Sequence, residues 1–204
     1  MPFEDLDFDR QLPRRLQIKS ALHFSPVEVA RAAACLLAPE PGMVILDVGA
    51  GAGKFCTVAA REVPDCLFVG IELRPHLVEL ARELAAHRGV TNATFLEGDA
   101  LDLDWSSYDG FYFFNPFAEQ SHHPSLRLDR TLSAVPNRFG GYVTGTRDRL
   151  SDARPGTRVV TYHSMGAPIP DGYDLVHGEA IGTDRLELWV KGRSEHVQRA
   201  VSVS

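Results

Sequence analysis

The chain has 204 residues, of which 44% are hydrophobic, and a formal net charge of -6 at pH 7. This length predicts one domain with a sizeable core, and the negative charge argues against a general affinity for nucleic acid, which normally requires a basic surface. The three cysteines show no metal-ligand spacing and no apolar run is long enough to span a bilayer, so we expect a cytoplasmic protein that does not contact membranes.

Residues 1–24 are predicted to form an N-terminal arm. Leu12, Leu16 and Leu22 give a helical stripe that Pro13 interrupts. Two interpretations remain open, a packed or mobile arm and a lid over a ligand site.

The first long helix is predicted to begin at Ser25. Ser25 is placed to be the N-cap, Pro26 the first helical residue and Glu28 the partner in a capping box. The helix should end before Pro39, and a buried strand should follow.

Residues 44–55, VILDVGAGAGKF, predict a buried strand, a glycine turn and a helix N-terminus. Gly49, Gly51 and Gly53 allow a ligand to approach the backbone, because a Cβ at these positions would block the turn or the ligand. Asp47, at the carboxyl end of the strand, favours a ligand that donates hydrogen bonds or carries positive charge.

Two other nucleotide-binding loops fit this stretch poorly. A phosphate-binding P-loop has four residues between its glycines and a Lys followed by Ser or Thr, whereas Gly49 and Gly53 enclose three residues and Lys54 precedes Phe55. A dinucleotide loop has its third glycine where Lys54 lies. A nicotinamide-linked oxidoreductase therefore remains only as a weaker alternative.

Three further strands end in polar residues. CLFVGIELRP ends in Glu72, about 20 residues after the loop, the distance at which a carboxylate binds ribose hydroxyls in such folds. FLEGDA places Asp99 after the third strand, and YDGFYFFNPF ends the fourth strand in residues 115–117.

The C-terminal part predicts a fifth strand over residues 157–164, which ends with Tyr162 and His163. Residues 164–173 are too short and too rich in Pro and Gly for a crossover helix, so an antiparallel pair should follow, over residues 174–181 and 185–191. His122 and His123 have no acidic or cysteine partner at ligand spacing, so no metal site is expected.

The four motifs, in this order and at these spacings, resemble those of the Rossmann-like (class I) S-adenosylmethionine-dependent methyltransferases, and the resemblance covers roughly residues 25 to 117. It implies an α/β fold, a three-layer α/β/α sandwich with a mostly parallel seven-stranded sheet and an antiparallel last strand. Residues 25–192 would form the methyltransferase domain, residues 1–24 an arm or lid over the cofactor, and residues 193–204 a flexible tail.

The resemblance also implies that S-adenosylmethionine is the cofactor and S-adenosylhomocysteine the product. Asp47 would lie near the amino-acid moiety, the glycine loop would admit the methionine and ribose, Glu72 would bind the ribose hydroxyls, and Asp99 the adenine. The implied cofactor-binding residues are Asp47, Gly49, Ala50, Gly51, Gly53, Glu72, Leu73, Asp99, Ala100 and Asn115.

Asn115-Pro116-Phe117 resembles the Asn-Pro-Pro-Tyr motif of amino-directed methyltransferases, without the second proline. The resemblance implies that these three residues position an acceptor nitrogen, and His163 is a candidate base. The opening Ser25-Pro26-x-Glu28-Val29 is also similar to small protein-lysine methyltransferases. The predicted acceptor is a nitrogen of a protein side chain or small molecule. The alternatives are an ordinary turn at residues 115–117 and a non-catalytic cofactor-binding protein.

Overall fold

The computed structural model describes residues 4–116, 127–128 and 138–193. Seven helices in these ranges are α1 Asp5–Asp9, α2 Arg14–Gln17, α3 Ser20–His23, α4 Val27–Leu37, α5 Lys54–Glu62, α6 Pro75–His87 and α7 Arg138–Ser151. The strands are β1 Val44–Val48, β2 Leu67–Glu72, β3 Ala93–Glu97, β4 Gly110–Phe114, β5 Arg158–Tyr162, β6 Tyr173–Ile181 and β7 Asp184–Lys191.

The strands form one sheet in the order β3-β2-β1-β4-β5-β7-β6. Strands β1 to β5 are parallel, whereas β7 pairs antiparallel with both β5 and β6. The expected mostly parallel sheet with an antiparallel last strand is confirmed. The strand order reverses between β1 and β4, which is where open α/β sheets bind their ligands at the carboxyl ends of the strands.

Apolar side chains cover both faces of the sheet. Helices α4, α5 and α6 pack on one face, where Phe55 stacks on Tyr112 with ring centroids 3.9 Å apart. Helix α7 and the segment around Trp105 cover the other face, where Trp105 stacks on Phe111. Because successive side chains point to opposite faces and both faces are apolar, the polar groups of the sheet lie at the carboxyl ends of the strands.

The N-terminal arm is packed against the domain. Phe8, Leu12, Leu16 and Phe24 are buried in a cluster with residues of α6 and of the glycine loop, among them Leu77, Leu84 and Ala52. The sequence was compatible with either a packed or a mobile arm. In the structure, the described part of the arm, residues 4–24, is packed.

The start of α4 differs from the prediction. The helix begins at Val27 with Pro26 as its N-cap, and no side chain within it caps the end. Instead Asp5 of the arm accepts a hydrogen bond from the Val27 N–H at 3.1 Å, and the Ser25 hydroxyl bonds the hydroxyl of Tyr112 at 2.8 Å. Asp5 of the arm therefore supplies the cap that the local sequence had predicted for Ser25.

Over the described ranges, none of the helices is long and apolar enough to cross a membrane. Phe117, His122 and His123 lie outside the described residues, as does the tail from residue 194 onward.

Candidate active site

The glycine loop after β1 turns through left-handed backbone conformations. Gly49, Gly51 and Gly53 have φ angles of 82°, 55° and 75°, which glycine adopts without strain. The N–H groups of Gly49 and Ala50 both donate to the carbonyl oxygen of Ile71, at 3.0 and 2.9 Å. The loop is thereby fixed to the end of β2, beside Glu72.

Five of the predicted site residues, Gly49, Gly51, Glu72, Asn115 and Pro116, line one pocket at the carboxyl ends of β1, β2 and β4. The pocket is covered from the arm by Leu22, His23 and Phe24. A Cβ built at Gly51 would lie 2.8 Å from the Phe24 ring, and one at Gly49 would lie 3.2 Å from the Pro116 Cβ. A larger side chain at either glycine would fill the space between the loop and its cover.

Glu72 is the buried carboxylate of this pocket, with 7% of its surface exposed. It accepts hydrogen bonds from the Gly51 N–H at 3.1 Å, the Arg74 N–H at 3.0 Å and the Arg74 Nη1 at 3.2 Å. Burial raises the pKa of Glu72, and the neighbouring Arg74 guanidinium opposes that rise. The carboxylate that should bind ribose is therefore already bonded within the chain.

Asp47 lies one strand away and faces α5. It is 4% exposed, and the thiol of Cys56 is 3.6 Å from its Oδ2. Burial is the main cause that raises the pKa of Asp47, to about 7, and the negative charge of Glu72 raises it further. The structure places Asp47 beneath the glycine loop, and the described lining of the pocket does not include it.

The predicted adenine residues lie after β3. Asp99 accepts a hydrogen bond from the Tyr142 hydroxyl at 2.5 Å and another from the Leu101 N–H at 3.0 Å. Ala100 is buried, and its carbonyl accepts from the Trp105 indole at 2.8 Å. Leu73 packs against the same apolar cluster. These three residues are not part of the described pocket lining.

Asn115 ends β4 in a left-handed conformation, with a φ of 43°. Its N–H donates to the carbonyl oxygen of Ser164 at 3.1 Å, which links the ends of β4 and β5. Asn adopts this conformation more readily than most other non-glycine residues, because its short polar side chain can form local hydrogen bonds. Asn115 and Pro116 line the pocket beside Gly49, and Phe117 lies outside the described residues.

His163 lies at the same sheet edge, after β5, with a φ of 58°. Its Nδ1 is 2.5 Å from Asp184 Oδ2, and its ring meets the edge of Phe114 at 5.3 Å between centroids. Phe114 lines the pocket, whereas His163 is not among the described lining residues. The imidazole is therefore separated from the pocket by one aromatic ring.

Lys54, the first residue of α5, joins the arm to the glycine loop. Its side chain is 3% exposed, and its Nζ lies 2.6 Å from Asp5 Oδ1 and 2.9 Å from Asp9 Oδ1. Both acids belong to α1, so a buried ammonium holds the arm against the residue that follows Gly53.

Six residues of the described pocket lining were not among the predicted site residues: Leu22, His23, Phe24, Arg74, Phe114 and Leu128. Arg74 is 5% exposed and lies two residues after Glu72 in the same motif, so the pairing of opposite charges could have been anticipated. The local sequence around Phe24 does not predict that it lines the pocket, because its position depends on how the arm folds over the loop.

Comparison with known proteins finds methyltransferases that resemble part of this chain. A family model described as a methyltransferase domain matches residues 39–134. The chain is 32% identical over 100 residues to a tRNA (guanine-N(7)-)-methyltransferase of Geobacillus kaustophilus, covering 46% of each chain. It is 40% identical over 72 residues to a release factor glutamine methyltransferase of Vibrio cholerae, covering 35% of this chain and 24% of that protein.

Among solved structures, an RNA methyltransferase from Salinibacter ruber in complex with S-adenosyl-L-homocysteine aligns with a TM-score of 0.51. The alignment covers 95% of both chains at 20% identity, so the likeness concerns the fold. The chain spans less than half of the length of the first curated relatives that it matches.

The tRNA methyltransferase among the relatives corrects one expectation. The sequence led us to expect no general affinity for nucleic acid, and this is wrong as a conclusion from net charge, because a similar protein acts on tRNA. Net charge is an average over the surface, whereas nucleic acid needs only a local basic patch. The arm exposes such residues, Arg10, Arg14 and Arg15.

The residues of the pocket also fit the cofactor of this family. A buried carboxylate and the backbone of a glycine loop share one pocket at the strand-order reversal, and a Cβ at Gly49 or Gly51 would fill it. Residues 39–134 of the chain therefore match a methyltransferase domain, the fold resembles that of the Rossmann-like (class I) S-adenosylmethionine-dependent methyltransferases, and the pocket has the residues to hold S-adenosylmethionine.

Proposed function

We propose that this protein transfers a methyl group from S-adenosylmethionine to an acceptor nitrogen that Asn115 positions. The observation that supports this most directly is the placement of Asn115. It has a left-handed backbone, lines the pocket beside the glycine loop and Glu72, and lies at the end of the strand next to β1.

S-adenosylmethionine, when bound, supplies a methyl group that its sulfonium has already activated. The chain then has to hold the cofactor and the acceptor in the correct orientation, which can lower a barrier by roughly 7 to 11 kcal/mol. Glu72 would hold the ribose hydroxyls. The side-chain oxygen of Asn115 and the Pro116 carbonyl would accept hydrogen bonds from the acceptor nitrogen, leaving its lone pair free to attack.

His163 would receive the proton that the nitrogen loses. Its Nδ1 faces Asp184 at 2.5 Å, which leaves Nε2 as the nitrogen that can accept a proton. The Phe114 ring lies between this imidazole and the pocket, so a water molecule would have to relay the proton.

We also propose that the arm, residues 1–24, is a lid. The space between the glycine loop and the arm is about 60 Å³, whereas pockets for ligands of drug size measure roughly 300–1,000 Å³. Binding of the cofactor therefore requires Phe24 and the arm to move outward. Glu72 already accepts three hydrogen bonds and a carboxylate has about four acceptor positions, so the ribose hydroxyls would compete with Arg74 for the Glu72 oxygens.

An RNA acceptor is the second candidate. It is favoured by the tRNA methyltransferase among the relatives and by the exposed Arg14 and Arg15 on the arm, which covers the pocket. We expect the reaction in the cytoplasm, in keeping with three free thiols at Cys35, Cys56 and Cys66.

The test is a methyl-transfer assay with labelled S-adenosylmethionine over protein, RNA and metabolite fractions. Labelled material in a fraction identifies the acceptor class. Transfer into no fraction, together with tight cofactor binding, would show instead a non-catalytic cofactor-binding protein.

The variant Asn115→Gly tests the role of the amide, because glycine accepts the left-handed backbone while the side chain is lost. We expect cofactor affinity to stay nearly unchanged and kcat to fall about tenfold or more, since the interaction strengthens as the nitrogen approaches the methyl carbon. Phe117→Ala should instead raise the KM of the acceptor, since a stacking ring binds ground state and transition state alike. An Asn115→Gly enzyme with unchanged kcat would refute the role of Asn115.

A further inference from the structure

A second cavity lies one strand away from the acceptor end of the pocket. It has a volume of about 370 Å³ and lies between β5, β7 and the segment 164–169. This volume is within the range of roughly 300–1,000 Å³ that ligand sites have. Ser164 connects the two sites, because it lines the cavity while its carbonyl oxygen accepts the N–H of Asn115.

The wall of the cavity combines apolar and polar surface and carries one kind of charge. Ile169 and Trp189 contribute apolar surface, and Thr161 and Ser164 are the residues of the lining with hydroxyl groups. Glu187 is the charged residue in the described lining. A carboxylate in apolar surroundings favours a cation, and an indole ring binds cations on its face.

The Glu187 carboxylate has only a long ion pair with the rest of the described chain. The Glu187 side chain is 30% exposed, and the Arg185 Nε lies 3.7 Å from its Oε1, beyond hydrogen-bonding distance. The Arg185 side chain is 56% exposed, so this ion pair is screened by solvent and contributes little. Glu187 therefore retains its capacity to bind a ligand cation.

The segment over the cavity begins under strain. His163 and Ser164 are consecutive non-glycine residues with positive φ angles, 58° and 60°. Arg147 of α7 donates a hydrogen bond to the Pro168 carbonyl and so ties the segment to the helix. Two strained residues in a row, at the point where the chain leaves β5 to cover a cavity, are typical of a ligand site.

We propose that this cavity binds an alkylammonium group of the acceptor, separate from the nitrogen that receives the methyl group. The ammonium would pair with Glu187, donate to the hydroxyl groups of the wall and lie against the Trp189 ring. The acceptor is then a molecule with a second, positively charged group, such as a diamine or a basic peptide. This assignment of the acceptor rests on the proposed methyl transfer, whereas binding of the cation does not.

The chain offers a reporter for the cavity. It has two tryptophans, Trp105 and Trp189. The Trp189 Nε1 is buried without an acceptor among the described residues, whereas the Trp105 Nε1 donates to the Ala100 carbonyl at 2.8 Å. Their indole N–H signals in a two-dimensional NMR spectrum can be assigned with Trp189→Phe, and Trp105 then serves as an internal control.

The experiment is a titration of the full chain, with S-adenosylhomocysteine present, using n-butylammonium chloride and, separately, 1-butanol as the neutral analogue. We expect n-butylammonium to shift the Trp189 signal saturably while the Trp105 signal stays in place. The Glu187→Gln variant should weaken this binding about tenfold, because it removes the charge and keeps the shape. The matched control Glu179→Gln, in the exposed strand β6, should bind like the parent.

Equal affinity for 1-butanol and n-butylammonium would overturn the proposal, as would unchanged binding by Glu187→Gln or the lack of a saturable shift. In the methyl-transfer assay, Glu187→Gln should raise the KM of the acceptor about tenfold and leave cofactor affinity unchanged. A protein that binds n-butylammonium through Glu187 but transfers no methyl group would retain the cation site and lose the proposed function. An acceptor without a cationic group, such as an RNA, would refute the assignment of the cavity to the acceptor.

Discussion

The glycine-loop pocket and the cavity beside β5 and β7 differ in how many hydrogen bonds their carboxylates already accept from the chain itself. At the glycine loop, Glu72 has three hydrogen bonds from Gly51 and Arg74, and the arm leaves about 60 Å³ of space. Beside β5 and β7, Glu187 has one distant ion pair and faces a cavity of about 370 Å³. Cofactor binding at the glycine loop therefore competes with the hydrogen bonds that Glu72 already accepts. The cavity beside Glu187 is preformed.

This difference has an energetic consequence. A ligand that displaces an existing hydrogen bond gains only the difference between the two contacts, whereas a ligand that enters a preformed cavity with an unsatisfied carboxylate gains the contact in full. The glycine-loop pocket can therefore couple cofactor binding to movement of the arm.

The first prediction concerns the buried acid beneath the glycine loop. Folding raises the pKa of Asp47 to about 7, so between the unfolded pKa and pH 7 the folded chain binds a proton that the unfolded chain releases. The stability that this carboxyl contributes is fully present below the unfolded pKa and is lost as the pH rises through 7.

Asp47→Asn removes this titration while keeping the shape. Relative to the parent, the variant should gain about 1.4 kcal/mol in its free energy of unfolding for each pH unit between 5 and 7, and no more above that range. Urea denaturation at pH 5, 6, 7 and 8 measures the difference. A difference that does not change with pH would show that Asp47 is not perturbed by burial.

The second prediction breaks the contact between arm and loop. Lys54→Met removes the ammonium that Asp5 and Asp9 share, and we expect the free energy of unfolding to fall by about 2 to 3 kcal/mol. This is less than the loss of a fully buried pair, because the Asp5 side chain is 48% exposed. Trypsin should then cleave faster after Arg14 and Arg15, which lie on the arm.

The matched control for this variant is Arg193→Met, which removes an exposed cation elsewhere. It should alter neither the stability nor the cleavage rate. If Lys54→Met leaves trypsin cleavage of the arm unchanged while S-adenosylhomocysteine still binds, Lys54 does not hold the arm closed.

The elements that repeat a local pattern were predictable from the sequence. The continuous apolar runs of β1, β2 and β4, each followed by polar residues, do not depend on distant contacts, so these strands lie where the patterns indicated. The hairpin of β6 and β7 followed from the connection before it, because residues 164–173 are too few and too rich in Pro and Gly for a crossover helix.

The contacts that connect distant parts of the chain were not predictable in this way. Ser25 has the sequence context of an N-cap, yet its hydroxyl bonds Tyr112, which is 87 positions further along. The cavity beside Glu187 likewise depends on the pairing of β5 with β7. The local sequence of β7 does not predict this pairing. The sequence predicts which strand ends carry polar residues, and tertiary packing decides which of them share a pocket.

The measurement that tests the account most directly is calorimetry of S-adenosylhomocysteine binding to the parent, to Glu72→Gln and to Glu97→Gln. Glu97 is exposed and is the register partner of Glu72 on β3, so it is a matched control. The account predicts that Glu72→Gln weakens binding by roughly 1.5 to 3 kcal/mol, the value of a hydrogen bond to a charged group. Glu97→Gln should bind like the parent. A folded Glu72→Gln protein that binds S-adenosylhomocysteine as tightly as the parent would contradict the account.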